Sequence, residues 1–340
     1  MSDAPTPELN AGALAILHAA LTDAATLGIA RTTVGGATII DCGVETPGSD
    51  AAGLLMARVA LAGLGEVTHE PAESPRLFAK PCGETTSNDG DVWKRPVVSV
   101  SSSSPVAACL ASQYAGWKVH VADYFAMASG PIRAAIGKEP LFDKIGYRET
   151  PTGVIGLLEA AALPSADVVA SLAEAAGVAA EQVTLLVAPT ASAAGTLQVV
   201  ARSLETALHK LETLGFDLSL VVAGRGRCPL PPVADDDLTA IGRTNDAVLY
   251  GSHVVLEVIA DEDLLDAVGA AMTSSASPDH GKTFASLFEA AAGDFYAIDP
   301  AIFAPAVVDL LNPQTGDCLR FGQLEVPLVR KSFGLDTGEA

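Results

Sequence analysis

Residues 183–215 constrain the fold more tightly than any other stretch. A short apolar run, Val183 to Val187, is broken by Pro189, Thr190, Ser192 and Gly195 before any helical period begins. The order is strand, loop, helix, with the loop at the strand's carboxyl end. Leu197, Val200, Ala201, Leu204, Leu208 and Leu211 then recur at three- and four-residue spacing, so one long helix with a buried stripe is expected, stopped by Gly215. A second stripe carries Gln198, Arg202, Glu205, His209 and Glu212. An exposed Arg and Glu three residues apart contribute only about 0.3–0.5 kcal/mol, and such stripes usually face water. The preceding loop argues otherwise, because hydroxyls and backbone donors after a strand in an α/β unit gather where ligands bind.

Other segments follow the same grammar. An Ala/Leu-rich helix is expected over residues 11–30, a strand pair or strand-loop unit around Gly35 and Gly36, and a helix over residues 50–64. Residues 97–104 pass from strand to serine-rich loop, 105–115 read as helix, 117–121 as strand and Ser129-Gly130-Pro131 as a loop. The second half repeats the order, with a strand over 218–222 and a loop over 224–232. The fold class is therefore α/β, in two α/β domains. Residues 137–153 have little apolar period and serve as the boundary, giving a first domain over 1–150, a second over 151–335 with the Arg202/Glu205 helix, and a frayed tail over 336–340. Residues 80–95 read as an exposed connection.

The chain has 340 residues, with 41 acidic side chains against 20 basic ones and a net charge of -21. That balance disfavours phosphate-backbone binding, and nucleic acid is not expected as a partner. No run of 18 apolar residues occurs, so no membrane span is expected, and the N-terminus lacks a secretory pattern, which implies a cytoplasmic chain. Cys42, Cys82, Cys109, Cys228 and Cys318 are scattered and odd in number, which suits reduced thiols. The six histidines show no HExxH or other paired-ligand spacing, so no metal is expected. No GxSxG elbow is present, and Ser101 to Ser104 lack an identifiable His and Asp partner set.

Six blocks, ASQYAGW (111–117), FAMASGPIRA (125–134), VAPTASAAGTLQV, ETALHKLETLGFD, GRTNDAVLYG (242–251) and DFYAIDP (294–300), together resemble methenyltetrahydromethanopterin cyclohydrolase, in that family's order. The resemblance runs from about Gly35 to Phe333. It implies a substrate pocket between two α/β domains, a homotrimer, and hydrolysis of methenyl-tetrahydromethanopterin, or its dephospho form, to the 5-formyl compound in one-carbon metabolism. The pterin one-carbon carrier is then the substrate, and no cofactor or metal need be bound tightly. The bridging carbon of an amidinium cation is already electrophilic, so a protein needs only to place a base and manage protons.

The resemblance also implies roles. A helix-borne Arg and Glu three apart serve the family's chemistry and match Arg202 and Glu205, with Glu205 as the base and Arg202 holding it charged and oriented. Ser129, Gly130, Pro131 and Arg133 resemble a loop at the pocket, although a plain turn reads equally well. Gln198 joins the substrate contacts from the polar stripe. Thr190, Ser192 and Gly195 offer hydroxyls and helix-start amides to the ligand, or cap their own helix. Thr244, Asn245 and Asp246 suit a ring that presents amide donors and acceptors. Asp235 to Asp237 read as a helix cap. Lys94, Arg95, Arg225 and Arg227 are available for an acidic tail, Phe295 and Tyr296 for stacking, and His209 for proton relay, each with a plain structural role as the alternative.

Overall fold

The computed structural model describes residues 8–71, 82, 95–294 and 297–335. Twelve strands occur among them: β1 Ala30–Val34, β2 Ala37–Asp41, β3 Gly65–Glu70, β4 Val97–Ser102, β5 Trp117–Val121, β6 Tyr124–Ser129, β7 Val154–Glu159, β8 Val183–Ala188, β9 Val221–Pro229, β10 His253–Val258, β11 Val307–Leu311 and β12 Cys318–Gly322. They form two six-stranded sheets, ordered β1-β2-β8-β7-β6-β5 and β12-β11-β10-β9-β4-β3. Each sheet belongs to its own compact unit, the first of residues 1–65 with 106–195 and the second of 66–105 with 196–340.

In the first unit β2, β8 and β7 run parallel. Every residue of β8 is buried, as an apolar strand covered on both faces must be. One face packs Val183, Leu185 and Val187 with Val168, Val169 and Leu172 of the Ala166–Ala176 helix. The other packs Ile40, Leu186 and Ala188 with Leu17 of the Leu9–Ala20 helix and with Leu55, Met56 and Val59 of the Asp50–Ala60 helix. β1 and β2 form a hairpin whose two-residue turn is Gly35–Gly36, with φ of +57° and +97°.

The second unit joins β10 and β11 in parallel and the β4–β9, β9–β10 and β11–β12 pairs antiparallel. Gly224 and Gly226 alternate with Arg225 and Arg227 along β9. A Cβ on Gly224 would stand 2.6 Å from Leu204 Cδ1, and one on Gly226 2.4 Å from Ser203 Oγ. The glycines thus seat the Ser203–Thr213 helix directly on β9, and the arginines point to the opposite face of the sheet.

Several expectations need correction. Residues 137–153 are not a boundary: Glu149 Oε2 accepts from Asn10 Nδ2 at 2.7 Å, Asn10 Oδ1 accepts from the Ile155 amide at 2.9 Å, and β7 pairs with β6 and β8 in one sheet. The chain instead crosses between units near residues 65, 105 and 195. The single helix over 197–213 is two, Ala193–Val200 and Ser203–Thr213, broken at Ala201 and Arg202. The close seat on Gly226 explains why the second helix starts afresh. β9 continues through residues 224–229, where a loop was expected, because the glycines let a helix cover it while both neighbouring strands pair with it. Residues 106–113 form a π-helix. Cys82 and Cys318 form a disulfide, with Cα atoms 5.1 Å apart, where reduced thiols were expected. The other three thiols are buried, and burial beside Asp41 pushes Cys42 up to about 12. Most of 80–95, with Lys94, lies outside the described residues, as do Phe295, Tyr296 and the tail.

Candidate active site

The start of the Ser203–Thr213 helix carries both residues that the sequence singled out for chemistry. Arg202 is its N-cap residue and Glu205 lies in its first turn. Both are buried, at 9% and 6% exposure, which rules out the solvated surface pair. A carboxylate in a helix's first turn meets the positive end of its dipole, a stabilisation of about 0.3–1 kcal/mol. Arg202 is oriented from behind: its Nη2 donates to Gln198 Oε1 at 2.9 Å, one turn earlier. Gln198 therefore positions the guanidinium. His209 is half-buried one turn after Glu205, and buried Lys210 donates to the Ala301 carbonyl at 3.1 Å.

Thr244, Asn245 and Asp246 lie on the Asp237–Gly251 helix of the same unit. Thr244 Oγ1 donates to the Ala240 carbonyl and Asn245 Nδ2 to the Ile241 carbonyl. Asp246 accepts from the Phe284 amide at 2.8 Å and so anchors the start of the Phe284–Ala290 helix. Burial pushes Asp246 up to about 6, against the lowering effect of the Phe284 amide, and its Oδ2 is buried without a hydrogen-bond partner. Asp236, in the acidic run, caps the Asp237–Gly251 helix through Thr239, as its structural reading required. On the far face of the sheet Arg225 lies 3.6 Å from Glu257, and Arg227 pairs with Glu70. Arg95 Nη2 reaches the Leu230 carbonyl at 3.4 Å. Asp309, fully buried, accepts from Arg320 at 2.7 and 2.8 Å and meets His253 Nε2 at 2.9 Å. Burial would raise Asp309, but these partners outweigh it and hold its carboxyl below the usual range.

In the first unit the parallel strands β2, β7 and β8 end together, and three loops meet at their carboxyl edge. Asp41 ends β2 and accepts the amides of Gly43, Val44, Glu45 and Thr46 at 2.7–3.0 Å. Burial acts to raise Asp41, and the amides of Gly43, Val44 and Glu45, together with Thr46, bring it below the usual range. Gly43 lies so close to Ser192 that a Cβ there would stand 2.9 Å from Ser192 Oγ. Ser192 Oγ donates to the Pro189 carbonyl and accepts the Gly195 amide at 3.0 Å, the capping role already open to it. Gly195 permits the turn, since its Cβ would collide with the Pro189 carbonyl. Thr190 is 2% exposed and donates to Glu159 Oε1 at 2.5 Å.

Ser129, Gly130 and Pro131 are buried elsewhere in this unit. Ser129 pairs with Leu157, two residues back from the end of β7, and the antiparallel β6 there runs away from the Thr190 edge. Gly130 has a φ of +95° and donates to the Ser112 carbonyl, while the Pro131 carbonyl accepts from Asn10. Arg133 lies under this loop, bonded to Glu139 at 2.9 Å and to the Leu110 and Ser112 carbonyls, with its guanidinium 5.0 Å from the Tyr114 ring centroid. Glu159 was missed by the sequence reading. Its signal was a carboxylate ending an otherwise apolar strand, Val154 to Leu158.

A buried carboxylate and guanidinium at the start of a helix that rides on a sheet equip an α/β enzyme to move protons at a bound organic molecule. Residues 8–333 match a family model described as Cyclohydrolase (MCH). Proteins named methenyltetrahydromethanopterin cyclohydrolase are similar along nearly the whole chain. That of Rhodopirellula baltica is 43% identical, covering 89% of this chain and 88% of its own length. One from a Methylobacterium species is 43% identical over 96% and 98%, and that of Methanocaldococcus jannaschii 40% identical over 88% and 89%. This chain belongs to the methenyltetrahydromethanopterin cyclohydrolase family.

Proposed function

We propose that this enzyme hydrolyses methenyl-tetrahydromethanopterin, or its dephospho form, to the 5-formyl compound, with Glu205 as general base and acid. The observation that carries the reading is the buried helix start, where Arg202 is held by Gln198 and Glu205 follows within the first turn. Water adds to the amidinium carbon as its proton passes to Glu205, forming a carbon–oxygen bond and neutralising the cation. The bond from that carbon to the second nitrogen then breaks. That nitrogen takes the proton back from Glu205, the hydroxyl proton is released, and the carbon remains on the first nitrogen as a formyl group. Arg202 keeps Glu205 oriented. The electrophile is already cationic, so this sequence requires no Lewis acid.

The edge around Thr190 serves the pterin as its binding surface in this reading, and Ser192 and Gly195 keep that edge in shape. Ser129 to Pro131 and Thr244 to Asp246 remain proposed substrate contacts, while Thr244 and Asn245 also donate to carbonyls one turn back in their own helix and Asp246 accepts the Phe284 amide. A homotrimer in the cytoplasm, without nucleic-acid or membrane partners, completes the proposal. Among the described residues no helix is long and apolar enough to cross a membrane.

The test follows loss of the methenyl chromophore with the tetrahydromethanopterin and folate compounds in parallel, in the presence of a chelator. Rapid, chelator-resistant turnover of the former is expected. Glu205→Gln should lower kcat by about a hundredfold or more while leaving KM within a few-fold. A folded Glu205→Gln protein with full turnover would remove Glu205 from the mechanism.

A further inference from the structure

Two carboxylates end neighbouring parallel strands of the first unit, and their surroundings differ. Asp41 is enclosed by its own loop, both oxygens accepting backbone amides. Glu159 is half-buried at the tip of β7, although the five residues before it are all fully buried. Its rotamer is set by a buried hydroxyl, since Thr190 donates to Oε1 at 2.5 Å. Thr190 is itself fixed by the Pro189–Gly195 turn that Ser192 closes. A flexible acid is thereby held in one orientation at the carboxyl edge of parallel strands, where open α/β sheets bind ligands.

The proposed substrate presents one edge that only an acceptor pair can satisfy. The 2-amino-4-oxopyrimidine portion of a pterin carries two parallel donors, N3–H and one 2-amino N–H. A carboxylate offers two coplanar acceptors at matching spacing, as in bidentate pairs with guanidinium. We propose that Glu159 is the substrate-recognition carboxylate, accepting both donors of the pterin's aminopyrimidinone edge, with Thr190 as its positioning residue. The inference rests on the pterin reading above. Charge pairing with the cationic methenyl form adds to this attraction, and a group on this edge acts on binding more than on the chemical step.

Glu159→Gln discriminates recognition from architecture. Gln Oε1 still accepts from Thr190, so the loop keeps its tie, but the amide NH2 now faces a donor of the ligand. The same amide suits a 2-oxo ring, whose edge presents N3–H beside a carbonyl. The intact protein is titrated with 6-methylpterin and with 6-methyllumazine, following ligand fluorescence, and kcat and KM for the methenyl substrate are measured on the same samples. The wild type should prefer the pterin by about tenfold or more, and Glu159→Gln should lose or reverse that preference. KM should rise by about tenfold with kcat within a few-fold, and the melting transition should stay unchanged. Thr190→Val should reproduce part of the KM increase, and Thr190→Ser should restore it.

A Glu159→Gln protein that keeps both the pterin preference and the wild-type KM overturns the proposal. A matching fall in kcat and stability without a change in ring preference does so too, since that is the signature of a structural role. If the wild type turns over the methenyl substrate while Glu159→Gln behaves as wild type, the cyclohydrolase reading stands without Glu159. If the wild type neither binds the pterin nor hydrolyses the substrate, both readings fall.

Discussion

Asp246→Asn should stabilise the second unit at neutral pH, and the gain should vanish in acid. Asp246 is 1% exposed, accepts the Phe284 amide at 2.8 Å, and has its pKa raised from 3.8 to about 6 by burial. A folded-state value above the unfolded one means that the folded protein binds the extra proton between those two pH values. Stability therefore falls as pH rises through that window. A shift of about two units corresponds to about 3 kcal/mol of lost stability once the group is ionised, with about half of it already present near pH 5. Asparagine keeps the acceptor for Phe284, and its amide replaces a buried carboxylate oxygen that has no hydrogen-bond partner, so the packing survives while the buried charge does not. Urea unfolding followed by far-UV circular dichroism, from about pH 5 to about pH 8, measures the difference. The variant's advantage should grow with pH to about 2–3 kcal/mol above pH 7. A difference that stays constant over that range, or a variant less stable at pH 8, would refute the buried-charge argument.

Gly226→Ala should cost about 1–3 kcal/mol, because the new Cβ meets Ser203 Oγ at 2.4 Å and the Leu204 amide at 3.0 Å. Since that contact seats the start of the Ser203–Thr213 helix, melting temperature and turnover should fall together. Asp309→Asn should destabilise the protein by about 3 kcal/mol at neutral pH by breaking a buried pair with Arg320 and His253. Asp309 is held below the usual carboxylate range, so its contribution is present above that range and lost as pH falls through the depressed value, and the gap between wild type and variant should close in acid.

The α/β class and the charged pair at Arg202 and Glu205 were legible because apolar period and residue type are local signals. β8 announced itself as a short apolar run, and the stretch around Gly35 and Gly36 as a strand pair or strand-loop unit, which the structure resolves as a hairpin. The break at Ala201 and Arg202 was not legible, since the apolar period runs straight through it and its cause lies on β9. The same long-range seat disguised residues 224–229, where Gly and Arg alternate at strand spacing but read as a loop by composition. Side chains chosen for their polar chemistry also have local partners: Ser192 caps its helix, Thr244 donates to a carbonyl one turn back and Asp246 accepts the Phe284 amide, contacts that depend on which backbone group lies within reach. Glu159 escaped notice because its partner, Thr190, is 31 residues away.

The interleaving of the two units has a consequence during synthesis. β2 forms its hairpin with β1 at once, but its other edge pairs with β8, Thr38 opposite Thr184. At about 5–20 residues per second, the ribosome takes on the order of ten seconds to deliver that partner. Early in that interval β3 and β4, which belong to the other sheet, emerge next to a half-built one. An apolar strand with an open edge is then available to a neighbouring nascent chain. The yield of native enzyme should depend on translation speed between residues 42 and 183 and on chaperones that shield strand edges, a sensitivity that a chain of two successive domains would escape.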